Sequence, residues 1–414
     1  MIRVLVGGLL TLVVAMGVGR FAFAPILPAM QAATGLGGDG AGLLASLNYL
    51  GYFLGAVGAG WVPHGAVRTW TFRGALLLSL GTTAGMGLTT DFAVWSVLRF
   101  LAGLASAGLF ILGVAMVLDA LARAGREAWA GWMYTGVGGG IAGSGLFVAL
   151  FGDRLGWDGD WLVLGALCVA LSVPAWLWVS DHVPHHAARP PAAFGKTLSA
   201  PLLLLTAAYF LEGAGYIVTG TFMVAMLKRT PDTAAIGEAA WMVAGLAAIP
   251  SGLLWAAVGR RLGAWRGLIL AHLAQAVGIV LPLAGLGAVG GFTSAVLFGG
   301  TFVGIVTLSF TLGRELSGGA SAKVVGALTA AYGLGQILGP LPAGIAVEHT
   351  GSFAAALIGA SGVVALGAAC LVLGAVLARR PAPQEAALCP TDAPSAGGPP
   401  MYPVGIDRNP RRQT

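Results

Sequence analysis

Residues 16–30 read Met16-Gly17-Val18-Gly19-Arg20-Phe21-Ala22-Phe23-Ala24-Pro25-Ile26-Leu27-Pro28-Ala29-Met30. Residues 212–226 read Glu212-Gly213-Ala214-Gly215-Tyr216-Ile217-Val218-Thr219-Gly220-Thr221-Phe222-Met223-Val224-Ala225-Met226. The spaced glycine pair and the closing Ala-Met recur at an offset of about 196 residues. Working outward, Gly55 matches Gly252, and Arg73-Gly74 and Gly85 match Arg266-Gly267 and Gly278. Gly103, Gly108 and Asp119 match Gly299, Gly304 and Glu315; Gly136 and Gly138 match Gly333 and Gly335. With 67 glycines in the chain, one match means little. An offset held between about 193 and 197 through five successive segments is hard to obtain by chance. Two parallel halves related by an axis along the membrane normal form a transporter architecture, with the substrate site between the halves near the bilayer midplane.

Composition agrees. Hydrophobic residues make up 57% of the chain and charged residues only 9%, against roughly 25% charged in a soluble domain. So few charges cannot cover a water-facing surface, so most of this surface faces lipid. Apolar stretches of spanning length cover 4–31, 42–62, 71–90, 92–118, 129–151, 161–180, 199–227, 238–258, 266–285, 289–312, 323–346 and 352–378. Each is long enough for the ~20 residues that cross a ~30 Å hydrocarbon core. The expected fold is therefore all-α and polytopic, with about twelve transmembrane helices. Residues 1–180 and 199–378 form two six-helix bundles, 181–198 a central cytoplasmic loop, and 379–414 a disordered cytoplasmic tail. The opening run superficially resembles a secretory signal. Arg20 interrupts it, and Pro25 follows the Ala22-Phe23-Ala24 that would be cleaved, so it reads as a first span.

Basic residues set the orientation. With the N-terminus inside, only Arg154, Lys228 and Arg229 fall outside, and Arg20 and Arg99 lie within spans. The rest of the 22 lysines and arginines fall inside. Such asymmetry places both termini in the cytoplasm. It also accounts for the basic isoelectric point, near 9.5, without a nucleic-acid partner. Cys168 and Cys370 lie in apolar segments and Cys389 in the tail, at no metal or disulfide spacing.

Three stretches resemble the major facilitator superfamily, and within it the YbfB/YjiJ-like branch. They are Gly17 to Pro28, Ala45-Ser46-Leu47-Asn48-Tyr49-Leu50-Gly51-Tyr52, and Tyr332-Gly333-Leu334-Gly335-Gln336-Ile337-Leu338-Gly339-Pro340. The resemblance covers residues 1–378. It implies the major facilitator fold, secondary transport in a bacterial inner membrane, and a small-molecule substrate. The superfamily's loop after the second helix usually carries an acid. Here the loop reads Gly60-Trp61-Val62-Pro63-His64-Gly65-Ala66-Val67-Arg68, with His64 in the acid's place. The later copy at Gly259-Arg260-Arg261-Leu262-Gly263 also lacks the acid. The fourth-helix motif survives as Arg99 and Gly103. The proline that antiporters often carry in the fifth helix is missing, which leaves the direction of transport open.

Candidate site residues follow from cost. Glu212 lies about 11 residues past Pro201, or ~17 Å along a helix, near the midplane. A carboxylate there costs a few kcal/mol or more unless paired, protonated or hydrated. It is the candidate proton-coupling group, against the alternative of a hydrogen-bonded structural glutamate. Arg20 lies ~25 Å along the axis from Arg3 and stays charged at any working pH. It can anchor an anionic substrate, pair with Glu212 in one state of the cycle, or form a fixed structural pair. Arg99 reads equally as functional or as a brace between helices. Asn48, Tyr49, Tyr216 and Gln336 are candidate substrate contacts, and Tyr134, Tyr209 and Gln275 are further polar groups within spans. Any of these can instead tie helices together. Asp119 and Glu315 end their helices at the cytoplasmic face. Arg68 and Arg73 are the expected neighbours of Asp119, as a gate or as surface pairs. His182, His185 and His186 lack the further ligands a metal site needs.

The expectation is a monomeric secondary transporter working by alternating access, taking a small organic solute that is anionic if Arg20 binds it, with protons as coupling ion. The chain has no phosphate-binding loop for ATP. Neither a cofactor nor an enzyme's paired acid, nucleophile–base set or metal cluster is expected. A membrane sensor or a channel is the competing class.

Overall fold

Every apolar run folds as helix. The computed structural model of the chain describes residues 1–181, 199–317 and 321–378. His182, His185, His186, Cys389, the tail and most of the central loop lie outside the described residues.

The first half contains α1 (Ile2–Leu12), α2 (Phe23–Thr34), α3 (Gly38–Ala59), α4 (Ala66–Met86), α5 (Phe92–Arg123) and α6 (Ala130–Trp178). The second contains α7 (Ala200–Arg229), α8 (Gly237–Leu262), α9 (Ala264–Val280), α10 (Gly287–Leu316), α11 (Ser321–Leu338), α12 (Pro340–Thr350) and α13 (Ala354–Ala378). Ten helical stretches among the described residues are long and apolar enough to cross a bilayer. One of them, α6, runs for 49 residues and breaks at Gly156, whose φ of 70° is one a glycine adopts without strain. Local chemistry sets the ends: Asp91 accepts the Val94 N–H to start α5, and Ser199 accepts the Leu202 N–H to start α7.

The repeat is visible in the packing. In the first half α3 lies along α5, and in the second α8 lies along α10. Large apolar side chains such as Leu177, Leu253 and Ile358 point outward, exposed. On a membrane protein that is the lipid-facing surface.

Residues 1–378 form one compact unit, and the halves meet along two seams made by small residues. In one, α3 meets α12: a side chain on Gly38 would strike the Gly344 carbonyl, and the Gly38 N–H donates to Glu348 Oε2 at 2.7 Å. In the other, α6 meets α8: a Cβ on Gly138 would lie 2.7 Å from the Gly245 carbonyl, and one on Gly145 2.7 Å from the Met242 nitrogen. Lipid offers no hydrophobic drive between helices, so close backbone contact of this kind supplies the adhesion.

Gly245→Ala places a methyl against the Ala142 backbone, whereas Gly300 has open space before it. Gly245→Ala should lose about 1–3 kcal/mol of stability, the usual cost of overpacking, and Gly300→Ala should lose none. Thermal unfolding in detergent checks this, and equal melting temperatures for the two variants would refute the tight seam.

Candidate functional site

The site begins with a break in the first helix. Between α1 and α2 the chain makes a π-helical turn, Val13–Val18, and then leaves helix. Gly19 N donates to Val14 O at 2.9 Å and Phe21 N to Met16 O at 3.1 Å, each five residues back. This widened spacing leaves carbonyls unfilled, and inside a membrane another group must fill them. Helix α5 supplies it. Ser106 Oγ donates to Ala15 O at 2.8 Å, and Arg99 reaches the Gly19 and Arg20 carbonyls at 3.4 Å each. The Arg99 guanidinium also lies 4.6 Å from the Phe23 ring. Arg99 thus braces the broken helix, and Asn48 Nδ2 holds the Arg99 carbonyl at 2.9 Å. Asn48 ties α3 to α5 through its amide nitrogen, while its buried Oδ1 has no hydrogen-bond partner.

The break presents Arg20. Its side chain is 3% exposed. The guanidinium carbon lies 4.1 Å from the Tyr52 ring centre and 4.6 Å from that of Tyr49. Arg20 NH2 donates to Gln336 Oε1, across the interface of the halves, at 2.8 Å. Arg20 Nε has no hydrogen-bond partner, and no acidic side chain among the described residues pairs with Arg20. Gln336 passes the contact on by donating to the Tyr216 hydroxyl. Arg20, Tyr49, Gln336 and Tyr216, read separately in the sequence, therefore come together at one point.

Glu212 lies elsewhere. It sits on α7 one turn from Tyr216 and is 0% exposed. Neither carboxyl oxygen has a hydrogen-bond partner, and neither polar atom of Gln275 does. Gln275 on α9 and Tyr332 on α11 are the polar groups beside it. Tyr332 stacks on Tyr209 at 4.4 Å and on Tyr216 at 5.5 Å between ring centres. Tyr332, beside Glu212, is thus stacked on Tyr216, the tyrosine that Gln336 joins to Arg20. In this conformation Arg20 is engaged by Gln336 and not by Glu212. The sequence reading passed over His272, one turn before Gln275. It is buried, with Nδ1 against the Leu268 carbonyl at 2.8 Å and Nε2 unpartnered. A histidine inside an apolar span was the signal that pointed to it.

A second polar cluster forms where α3 and α6 end and α4 begins. Asp181 Oδ2 accepts the Gly65 N–H at 2.9 Å and Arg68 NH1 at 3.3 Å, and His64 Nδ1 stands 3.6 Å away. The acid missing from the loop is thus supplied from the far end of α6. Asp119 also reaches Arg68 at 3.3 Å but is 43% exposed, against 1% for Asp181. Arg73 does not join Asp119. It donates to the Trp176 carbonyl at 3.1 Å and lies against the Trp70 and Trp176 rings. Five residues turn a helix by about 140° beyond a full circle, so Arg68 and Arg73 project from different faces of α4. Tyr134 is partly exposed at 39% and stands against Phe110.

A family profile described as an uncharacterised MFS-type transporter, YbfB, matches residues 12–377. No curated protein matches. Among solved structures, the nucleoside transporter NupG superposes with a TM-score of 0.70 at 16% identity, covering 92% of this chain and all 100% of that one. A bacterial homologue of the human lysosomal transporter Spinster, solved inward-facing and unoccupied, gives 0.63 at 17% identity over 91% and 96% of the two chains. Identities this low show a shared fold.

Asp181 and Asp119 share one arginine but differ in burial, which separates them by experiment. Asp181→Ala removes a buried acceptor from a backbone N–H and a cation, and should cost about 1–3 kcal/mol. Asp119→Ala loses an exposed pair worth about 1 kcal/mol or less. Unfolding of both variants in detergent should show the larger loss for Asp181→Ala; the reverse order would remove Asp181 from the centre of this cluster.

Proposed function

Because the chain belongs to the YbfB-type family of MFS transporters, we propose that it carries an anionic organic solute by alternating access, coupled to protons through Glu212. Family and fold make it a multi-pass membrane transporter of a small molecule rather than an enzyme. The proposal adds twelve crossings. In it α6 crosses twice about Gly156, and α4 crosses once. It also adds two six-helix halves (1–180 and 199–378) joined by the 181–198 loop, both termini and the 379–414 tail in the cytoplasm of a bacterial inner membrane, and action as a monomer.

One observation carries the choice of solute: a buried guanidinium with no acidic partner among the described residues, placed where the halves meet. Burying a charge is costly unless it is paired. The hydrogen bond from Arg20 to Gln336 in this conformation is to a neutral group, and the unpartnered Nε remains for an anion. A carboxylate binds a guanidinium through two parallel hydrogen bonds. The aromatic faces around Arg20 stabilise the cation while the site is empty of anion.

Glu212 has a different environment and a different role. Its oxygens are buried beside two neutral groups, Gln275 and Tyr332, and no cation among the described residues pairs with it, so an ionised form lacks a counter-charge. A proton removes that charge, and opening of the halves returns access to it. Tyr216, Tyr332 and Gln336 link the two sites, so protonation at Glu212 is felt by the group that holds Arg20. The seams support a particular state. Both run from the starts of α3 and α8, the ends the orientation places outside, so the outer side is closed.

The test is uptake of a labelled panel of mono- and dicarboxylates by proteoliposomes under an imposed pH gradient. Wild type should concentrate at least one acid. Glu212→Gln should exchange that acid across the membrane but no longer respond to the gradient. Arg20→Ala should weaken its uptake roughly tenfold or more, as loss of a charge-assisted bond implies. Gradient-dependent uptake by Glu212→Gln would sink the coupling role, and indifference to Arg20→Ala would sink the anchor.

A further inference from the structure

Beyond Gln336, which meets Arg20 across the interface, Tyr216 belongs to a group of nearly parallel rings in the second half. The Tyr216 ring lies 5.9 Å from Phe302 at 12° and 6.1 Å from Phe298 at 17°. Phe298 lies 6.0 Å from Trp241 at 27°. These rings come from α7, α8 and α10 and form a slab on the second half's side. The first half contributes Phe21, the neighbour of Arg20, which meets Trp241 and Phe302 at 6.5 Å each with tilted planes. The plane on which the halves separate therefore runs between a cation with its tyrosines on one side and flat ring faces on the other. Trp241 adds an independent sign of a ligand. It is 0% exposed, and its indole N–H has no acceptor. A buried donor left unpaired is costly, and a bound molecule can supply the acceptor.

We propose that the solute is a planar aromatic carboxylate. This deepens the proposal above and rests on Arg20 binding an anion. The carboxylate takes the Arg20 guanidinium, with the Gln336 amide beside it. The ring lies against Tyr216 and Phe302, entering where Phe21 parts from them as the halves open. A ring substituent with a lone pair meets the Trp241 N–H. Stacked rings gain about twofold to twelvefold in binding beyond what the area they bury contributes. A saturated acid of equal size and charge reaches Arg20 but forfeits the stacking. A neutral ring stacks but leaves the guanidinium unpaired. An organic cation is repelled by Arg20.

Full-length protein in detergent is titrated with three probes of similar size: benzoate, cyclohexanecarboxylate and benzamide. The pair trans-cinnamate and 3-cyclohexylpropionate is added for a longer arm. Binding is read from Trp fluorescence and from the shift in melting temperature. We expect each aromatic acid to bind about fivefold to tenfold more tightly than its saturated partner, within the roughly twofold to twelvefold span that ring stacking allows, and benzamide not to bind. Phe302→Leu should bring the two acids of each pair within about twofold, and Arg20→Ala should weaken both alike. Equal affinity of wild type for aromatic and saturated acids would overturn the aromatic assignment and leave the anion site standing. Benzamide binding as well as benzoate, or no acid of either kind binding, would remove the anion site and this inference with it. The wild-type ratios decide the question even if a variant fails to fold.

Discussion

In lipid, a backbone carbonyl without a partner has no water to turn to. That constraint governs the first helix, where the π turn at Val13–Val18 and the non-helical residues after it expose several carbonyls at once. Arg99 and Ser106 fill them from α5, and Asn48 fixes Arg99's own carbonyl from α3. The break is therefore held from two neighbouring helices, and it turns the chain so that Arg20 projects toward the second half. Without the brace the guanidinium would have no fixed direction. With it, a permanent charge is placed where the two bundles meet.

The halves repeat in topology and differ in chemistry at the point that matters. Where the first half has Arg20, the second has Tyr216, and one turn earlier Met16 is answered by Glu212. Gln336 touches both aligned residues, accepting from Arg20 and donating to Tyr216. Duplication gives two similar cradles; divergence has put a fixed cation in one and an ionisable acid in the other. In this conformation the Arg20 guanidinium meets Gln336 and the Tyr49 and Tyr52 rings, whereas the Glu212 carboxyl lies beside Gln275 and Tyr332.

Much of this was legible in the sequence because the membrane makes polar residues conspicuous. Arg20 and Glu212 stood out as charges inside apolar runs, and the repeat stood out through spaced glycines, now seen at the closest helix contacts. What stayed hidden depends on partners distant in the chain. Nothing in the valine-rich run at Val13–Val18 distinguishes a π turn from an α turn. The Arg20–Gln336 bond joins residues 316 positions apart. Asn48 and Arg73 carry the same donors whether they face a solute or a neighbouring helix, and only packing shows that Asn48 holds Arg99 and Arg73 holds Trp176. Gln275 was one of several polar residues within spans until its place beside Glu212 gave it meaning.

Asp181 shows how a local need for negative charge can be met from another position. The loop after the second helix lacks its usual acid, and His64 in that place cannot supply a negative charge at any pH. The turn at Gly65 still needs an acceptor for its N–H, and Arg68, only 12% exposed, still needs a counter-charge. Asp181, at the end of α6, meets both needs with a single oxygen. This ties the α3–α4 loop to the last helix of the first half and to the start of the central loop. The linker between the halves thus begins at the residue that locks the loop.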